Sequence, residues 1–251
     1  MNTRALSTVL AATATFAVMG ALAPQAFAGS LVPQKETEIN VGLGCLDPDP
    51  DKCIDKDEYA LELPWIKDIT SLVDETTRTK SRLFVDTLDT ANEYTDGSAL
   101  VKFKAGDAGT NPEGFWFRPS EVDEGGQGEE KGQLEVGTFE FEFTKTIAEL
   151  TLDFLDVERH NSTQILAING IDYDGPALPK LPDDEISSLV FNDVFSITLK
   201  LGQDEEGTTG DGVDFRLSKE EGVSVPEPAS VLGLMVVGAL GAAKSLRRKQ
   251  S

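Results

Sequence analysis

The sequence has few of the residues on which most hydrolases and nucleic-acid-binding proteins depend. It contains one histidine, two cysteines and 22 basic against 44 acidic side chains, for a formal net charge of −22. This charge repels the phosphates of nucleic acids and anionic lipids, so we exclude nucleic acid as a partner. The single histidine, His160, lies in the hydrophilic stretch ERHNST without a recognisable partner, which argues against Ser-His-Asp and Cys-His catalysis. The acidic side chains suit a solvated surface, divalent cations or a cationic partner.

The first 28 residues have the layout of a secretory signal peptide. Arg4 supplies a positive charge, residues 5–23 are apolar, and Ala26-Phe27-Ala28 is a small-x-small cleavage site before Gly29. The alternative is an uncleaved membrane anchor, but Pro24 and the Ala-Phe-Ala step favour cleavage by signal peptidase after Ala28. We therefore expect the mature chain to begin at Gly29 and to fold outside the cytoplasm.

The C-terminal segment, residues 223–251, combines an apolar stretch with a basic tail. Residues 229–243 are uncharged and mainly apolar, and Lys244, Arg247, Arg248 and Lys249 follow them. A helix of this length spans roughly 22 Å, against about 30 Å for the hydrocarbon core of a bilayer. With Val223, Val225 and the snorkelling stem of Lys244 it is long enough to cross. A buried amphipathic helix is the alternative, but the stretch is apolar on all sides. We expect a transmembrane helix with its basic end in the cytoplasm.

Three features follow one another in this segment: Pro226-Glu227-Pro228, the apolar stretch, and Arg247-Arg248-Lys249. Their order resembles the PEP-CTERM sorting signal of Gram-negative and cyanobacterial surface proteins. The resemblance implies that exosortase, a membrane cysteine transpeptidase, recognises the tripeptide and removes the tail. It also implies a protein that is anchored in the membrane at first and then exposed at the cell surface or in the extracellular matrix. The two prolines keep the tripeptide extended and outside the helix, as a protease requires.

A second resemblance begins in the middle of the chain. The tetrapeptide Leu134-Glu135-Val136-Gly137 is followed by Asn192-Asp193-Val194 and by TTGDGV at residues 208–213. This order is similar to that of the cyanobacterial LEVG family of PEP-CTERM proteins, from about residue 134 to the C-terminus. The resemblance implies surface export and a β-rich domain, and it implies no activity.

Alternating apolar residues predict β-strands along the body of the chain. An apolar residue at every second position places these side chains on one face of a strand. The runs are Phe139, Phe141 and Phe143; Leu150, Leu152 and Phe154; Phe195, Ile197, Leu199 and Leu201; and Val213, Phe215 and Leu217.

Turn signals separate these strands. Asn169-Gly170 predicts a tight hairpin, because both residues tolerate positive φ. The pattern favours one all-β domain at residues 29–222, an antiparallel β-sandwich or jelly roll. We also expect a helix around residues 65–77 and a mobile loop at 121–132 that could separate two halves.

The two cysteines, Cys45 and Cys53, are eight positions apart. In an exported protein such a pair favours a disulfide that closes a small loop. Two free thiols, or pairing with another chain, are the alternatives.

The segment between and after the cysteines carries acidic residues at the ligand spacing of an EF-hand calcium loop. Lys52 stands where the EF-hand turn requires glycine, and Pro48 and Pro50 stiffen the start of the loop. An EF-hand, a looser calcium loop and a solvated acidic loop therefore remain open. A second acidic cluster, residues 204–214, has the same ambiguity. The candidate calcium ligands are Asp47, Asp49, Asp51, Asp55 and Glu58 in the first loop, and Asp211 and Asp214 in the second cluster.

Two functions fit these observations. The first is a non-catalytic exported surface or matrix protein, sorted by exosortase and associated with extracellular polysaccharide. The second is a carbohydrate-binding β-sandwich or, less readily, a hydrolase with two carboxylates, although no spacing selects a carboxylate pair. In Phe115-Trp116-Phe117, the alternation lets Trp116 face solvent as a sugar platform if both phenylalanines face the core. We favour the first function and predict no catalytic residue.

Overall fold

The computed structural model describes residues 28–220 apart from 76, 88–89, 98–99, 104–113, 122–135, 158, 183–184 and 204–212. These residues belong to one unit of the chain, residues 27–222. Several predicted features lie outside the described residues: the signal peptide before Ala28, almost all of the loop at 121–132, Asp211, and the sorting segment 223–251 with Pro226-Glu227-Pro228, Arg247 and Arg248.

Strands make up most of the described residues, and the all-β class is confirmed. Helical structure in the described ranges is limited to a 3-10 turn, Pro50–Lys52, and a four-residue helix α1, Tyr59–Glu62. No helix in these ranges is long and apolar enough to cross a membrane. The strands are β1 (Ala28–Ser30), β2 (Thr37–Ile39), β3 (Cys53–Ile54), β4 (Ile66–Leu72), β5 (Ser81–Thr87), β6 (Asn92–Thr95), β7 (Leu100–Phe103), β8 (Phe115–Glu121), β9 (Gly137–Leu155), β10 (Gln164–Ile168), β11 (Ile171–Asp172), β12 (Ile186–Leu201) and β13 (Asp214–Glu220).

Eleven of these strands form one connected sheet. Its order is β11-β10-β12-β9-β13-β8-β5-β2-β3, with β1 beside β13 and β4 beside β9, while β6 and β7 pair as a separate hairpin. Among the described pairs, only β2 and β3 are parallel. The predicted sandwich or jelly roll is not confirmed, because all the strands except β6 and β7 connect into one continuous sheet.

The two longest strands, β9 and β12, hold this sheet together. They span 19 and 16 residues and pair with each other over most of their length. The first part of β9 also pairs with β4, and its last part pairs with β13. The predicted alternation is confirmed in β9, where Phe139, Phe141, Leu150, Leu152 and Phe154 are all fully buried.

The predicted alternation in β12 is correct only from Ile197 onward. Phe195 is 51% exposed, and Val194 takes the inward position instead. The register between β9 and β12 shifts between Val194, opposite Ile147, and Ser196, opposite Glu142, so the ladder is irregular there. Such an irregularity changes the face of the sheet to which the next side chain points. A prediction based on strict alternation across residues 194–197 therefore assigns Phe195 to the wrong face.

The helix predicted around residues 65–77 is wrong, because β4 occupies most of that range. Ile66 and Ile69 are both buried against β9, three positions apart. A register shift between Ile66 and Asp68 brings them to one face. Spacing of three is typical of a helix, so the bulge imitates a helical pattern.

The main core lies between the first part of β9 and the neighbouring strands β8 and β13. The rings of Phe117, Phe141 and Phe215 are buried and contact one another, with centroids 5.2–5.8 Å apart. Aromatic contacts at this distance add to the stabilisation from buried area. The first part of β9 therefore packs across β8 and β13. We call the sheet face that points away from this core the outer face.

A second, smaller core covers part of the outer face. The β6–β7 hairpin places Tyr94 and Phe103 against Phe84 of β5, with ring centroids 4.7 and 5.2 Å from that of Phe84. Leu46 and Val101 complete this cluster. Both faces of β5 are consequently buried, including the polar side chains that point outward.

The Asn169-Gly170 hairpin is confirmed. The two residues have φ values of 56° and 72° and join β10 to β11. The Asn169 side chain also accepts a hydrogen bond from the Phe195 amide at 2.7 Å. The turn is therefore hydrogen-bonded to β12 at the position where the register shifts.

Candidate functional site

The loop between the two cysteines is closed in the structure. The Cys45 and Cys53 sulfur atoms are bonded, and their Cα atoms are 6.1 Å apart. Asp49 caps the 3-10 turn by accepting a hydrogen bond from the Asp51 amide at 3.0 Å. The disulfide and this hydrogen bond both lie within the loop and hold it in one conformation.

Asp47, the first predicted calcium ligand, is buried and pairs with a cation of the same loop. The Lys52 ammonium lies 2.9 Å from its Oδ2 atom. Burial alone would raise the pKa of Asp47, but the hydrogen bonds from Lys52 and from the Asp49 and Thr95 amides, together with the charge of Lys52, outweigh it and lower this pKa. The lysine that replaces the expected glycine thus already neutralises this carboxylate.

An open cavity of about 370 Å³ is lined by Asp47, Asp49, Asp55, Asp57 and Glu58, whereas the predicted ligand Asp51 is not part of its lining. Asp55 accepts a hydrogen bond from Asn40 at 2.5 Å, and Glu58 accepts one from the Asp55 amide at 3.2 Å. Across the described ranges, no three Asp, Glu, His or Cys side chains are grouped closely enough to hold a metal ion. Calcium binding by this loop stays a prediction.

Asp214, predicted with the second acidic cluster, is instead part of a buried ion-pair site on the outer face. Arg118 donates from Nε to Asp214 at 3.1 Å and from Nη1 to Asp86 at 2.9 Å. Its guanidinium also lies over the ring of Phe103, 4.6 Å from the centroid. All three charged side chains are 1–3% exposed. Burial raises the pKa of Asp86, although the hydrogen bond from Arg118 opposes that rise.

A second buried pair joins β2 to β5. Arg82 Nη1 lies 2.5 Å from Glu38 Oε1, and Glu38 Oε2 accepts a hydrogen bond from the Leu46 amide at 2.6 Å. Burial raises the pKa of Glu38 more than Arg82 lowers it. This pair therefore ties the cysteine loop to the sheet.

Trp116 does not take the solvent-facing position that the alternation allowed. Phe117 points into the main core as expected, but Trp116 on the other face is only 1% exposed. The Arg216 guanidinium of the neighbouring strand β13 lies over the indole ring, 4.5 Å from its centroid. A strand can be covered on both faces, so alternation alone does not expose a side chain. Trp116 cannot serve as a sugar platform.

Arg216 borders a cavity of about 460 Å³ on the outer face, which we call the Arg216 cavity. It lies over β9 and β13, beside the chain that leaves β1 and the start of β8. Its lining includes Ser30, Gln34, Phe115, Thr151, Asp153 and Arg216.

A chain of hydrogen bonds fixes the charged part of this cavity. Arg216 Nε donates to Asp153 Oδ2 at 2.7 Å, and Ser188 Oγ donates to Asp153 Oδ1 at 2.5 Å. Sequence reasoning did not identify these residues. The only available signal was a charge at the outward position of an alternating strand, as in Leu152-Asp153-Phe154, and many solvated residues share it.

The two ends of the described domain lie side by side. β1 pairs with β13 in a register that places Ala28 opposite Glu220. The predicted signal-peptidase site therefore ends where the domain begins, next to the strand from which the sorting segment continues. Cleavage after Ala28 stays a prediction.

Comparison with known proteins identifies only the C-terminal end. No curated protein and no solved structure matches the chain, and the resemblance to the LEVG family gains no support and stays a prediction. Residues 224–249 match the PEP-CTERM protein-sorting motif, as the sequence around Pro226-Glu227-Pro228 predicted. The motif indicates exosortase-dependent export and sorting to the cell surface, as in Gram-negative bacteria.

Proposed function

We propose that this chain is a non-catalytic protein of the cell surface or extracellular matrix. Signal peptidase removes the signal peptide by cutting after Ala28. Exosortase then cuts at Pro226-Glu227-Pro228 and frees the β-domain from its membrane anchor. The match of residues 224–249 to the sorting motif carries this proposal. The producing organism on this view is a Gram-negative-type bacterium, in line with the cyanobacterial resemblance.

The short stretch of sequence between the domain and the motif supports this processing. β13 ends at Glu220, and the tripeptide begins six residues later. Six extended residues span at most roughly 20 Å. Exosortase would therefore cut within this length of chain from the end of β13. Since Ala28 pairs with Glu220, both processing sites are attached to the same end of the domain.

The environment of the charged residues supports a non-catalytic domain. The buried carboxylates Asp86 and Asp214 share Arg118, and Glu38 pairs with Arg82. A carboxylate that works as a general acid or base must instead reach a substrate in a cleft. His160 is exposed, as expected for a solvated residue.

The packing supports a two-layer form of the fold. The first part of β9 carries Phe141 across to Phe117 of β8 and Phe215 of β13. Bulges let long strands bend, and β9 and β12 share a register shift at their middle. We propose that the continuous sheet folds over itself as a jelly-roll-like sandwich.

The proposed sorting is tested by replacing Pro226-Glu227-Pro228 with three alanines in the native bacterium. Full-length chain should accumulate in the membrane, and mass spectrometry of the wild type should find a surface form that lacks the tail. A double variant on either side of the tripeptide, Ser224→Ala with Ser230→Ala, is the control and should be processed normally. Equal processing of the triple-alanine and wild-type chains would contradict the proposal.

A further inference from the structure

We propose that the Arg216 cavity binds a neutral carbohydrate. This inference rests on the proposed function in one respect: export would bring the cavity into contact with carbohydrate outside the cell. The site itself follows from the contacts of Arg216, and nothing in the sorting motif assigns it.

Arg216 is held in one orientation from two sides. Its Nε atom donates to Asp153 at 2.7 Å, and its guanidinium lies over the buried indole of Trp116, 4.5 Å from the ring centroid. Asp153 is held in turn by the Ser188 hydroxyl at 2.5 Å. A group fixed in this way loses little conformational freedom when a ligand binds.

The terminal nitrogens of this guanidinium have no hydrogen-bond partner among the described residues, and the side chain is 32% exposed. Arg216 can therefore still donate hydrogen bonds to a ligand. Asp153 can also accept further hydrogen bonds. A carboxylate has about four lone-pair positions, and the hydrogen bonds from Ser188 and Arg216 occupy two of them.

The rest of the lining matches the surface of a sugar. Thr151 and Ser218 supply hydroxyl groups, Gln34 supplies an amide oxygen, and the half-buried Phe115, which packs against the main core, supplies apolar surface, while the Ser30 hydroxyl is already bonded to Val32 and Gln34. A sugar has hydroxyl groups that both donate and accept hydrogen bonds, and an apolar C–H face that packs on an aromatic ring. The volume of about 460 Å³ lies within the range of about 300–1,000 Å³ for small-molecule sites.

Charge favours a neutral sugar over an acidic one. Asp153 offsets the charge of Arg216 within the cavity, so the cavity has little net attraction for an anion. The net charge of −22 on the whole chain repels anions as they approach. A uronate or a phosphorylated sugar should therefore bind less tightly than a neutral sugar of the same size.

The test uses the exported chain purified from the cells that produce it. Its probes are neutral pentasaccharides of glucose, mannose and galactose, and an oligogalacturonate of the same length, measured by calorimetric titration. At least one neutral probe should bind, and more tightly than the oligogalacturonate. Failure of all three neutral probes, or tighter binding of the oligogalacturonate, overturns the proposal.

Three variants locate the site. Arg216→Lys keeps the positive charge but loses the planar fork, and should weaken binding by at least about tenfold. Ser30→Trp fills the cavity mouth from an exposed edge residue and should abolish binding without touching the Arg216–Asp153 pair. Arg78→Lys, which alters an exposed arginine outside the cavity lining, is the control and should bind as the wild type does. Thermal melts report whether each variant is folded.

Wild-type affinity in the folded Ser30→Trp variant would show that the cavity is not the site. The sorting proposal is tested separately, and its outcome does not depend on the result of this titration. A chain that is released at the surface but binds no neutral sugar contradicts only the ligand. A chain that binds sugar but keeps its tail contradicts only the sorting.

Discussion

Two arginine–aspartate sites lie on the same outer face of the sheet and differ in what covers them. Arg118 sits under the β6–β7 hairpin, is 1% exposed and contacts both Asp86 and Asp214. Arg216, one strand away, contacts Asp153 and is 32% exposed. Each guanidinium also lies over an aromatic ring, at 4.6 and 4.5 Å. The same residue chemistry thus produces a structural ion pair where a second layer covers it, and a candidate binding group where none does.

The largest difference between the two sites should concern stability. Arg118→Met would leave two buried carboxylates without their cation, and breaking such a pair costs about 3–5 kcal/mol of unfolding free energy. The same substitution at Arg216 should cost about 1 kcal/mol or less, since a partly exposed pair is screened by water. Urea melts of both variants measure this difference. Equal losses would mean that the hairpin does not shield Arg118 from solvent.

The disulfide should matter for the covered site and not for the open one. Leu46, next to Cys45, belongs to the cluster under the hairpin, and its amide binds Glu38. Closing this short loop restricts the unfolded chain, so a Cys45→Ser/Cys53→Ser variant should lose about 2–3 kcal/mol of unfolding free energy. Binding at the Arg216 cavity should remain.

A thiol-alkylating reagent provides the independent check on the cysteines. It should label the native chain only after reduction. Labelling of the unreduced chain would show free thiols, and the disulfide could then not stabilise the covered site.

The buried site should also respond to pH in a particular direction. Burial raises the pKa of Asp86 in the folded protein above its unfolded value, so protonation of this group favours the folded state. Its contribution to stability is fully present below the unfolded pKa, about 3.9, and is lost as the pH rises through the folded pKa. The free-energy difference between the wild type and Asp86→Asn, followed by urea melts across this window, should therefore fall with rising pH. A difference that grows with pH would contradict the burial of Asp86.

The smallest effect should come from the residue that orients the open site. Ser188→Ala removes the hydroxyl that holds Asp153 and leaves Arg216 in place. Loss of one hydrogen bond of this kind corresponds to about 1 kcal/mol, so affinity for the neutral pentasaccharide should fall roughly fivefold. Ser187→Ala, its neighbour on β12, is the matched control. A Ser188→Ala variant that binds as the wild type does would mean that Asp153 needs no support.

Patterns within a few residues predicted much of the fold. Alternation in Phe139-x-Phe141 and in Leu150-x-Leu152 identified buried faces of β9, because side chains of a strand point to opposite sides in turn. Asn169-Gly170 identified its hairpin, because this turn requires positive φ. Where a register shift interrupted a strand, the same reasoning failed: Phe195 lies outside the core, and β4 has the spacing of a helix.

The candidate site shows the other limit of local patterns. The sorting motif could be predicted because its whole signal lies within one short stretch of sequence, residues 224–249. Trp116, Asp153 and Arg216 come from three strands, and 100 positions separate the first from the last. Whether each is covered, paired or open depends on which strands become neighbours and on where the β6–β7 hairpin packs. Those are long-range contacts that form only when the sheet assembles, so no short stretch of the chain contains them.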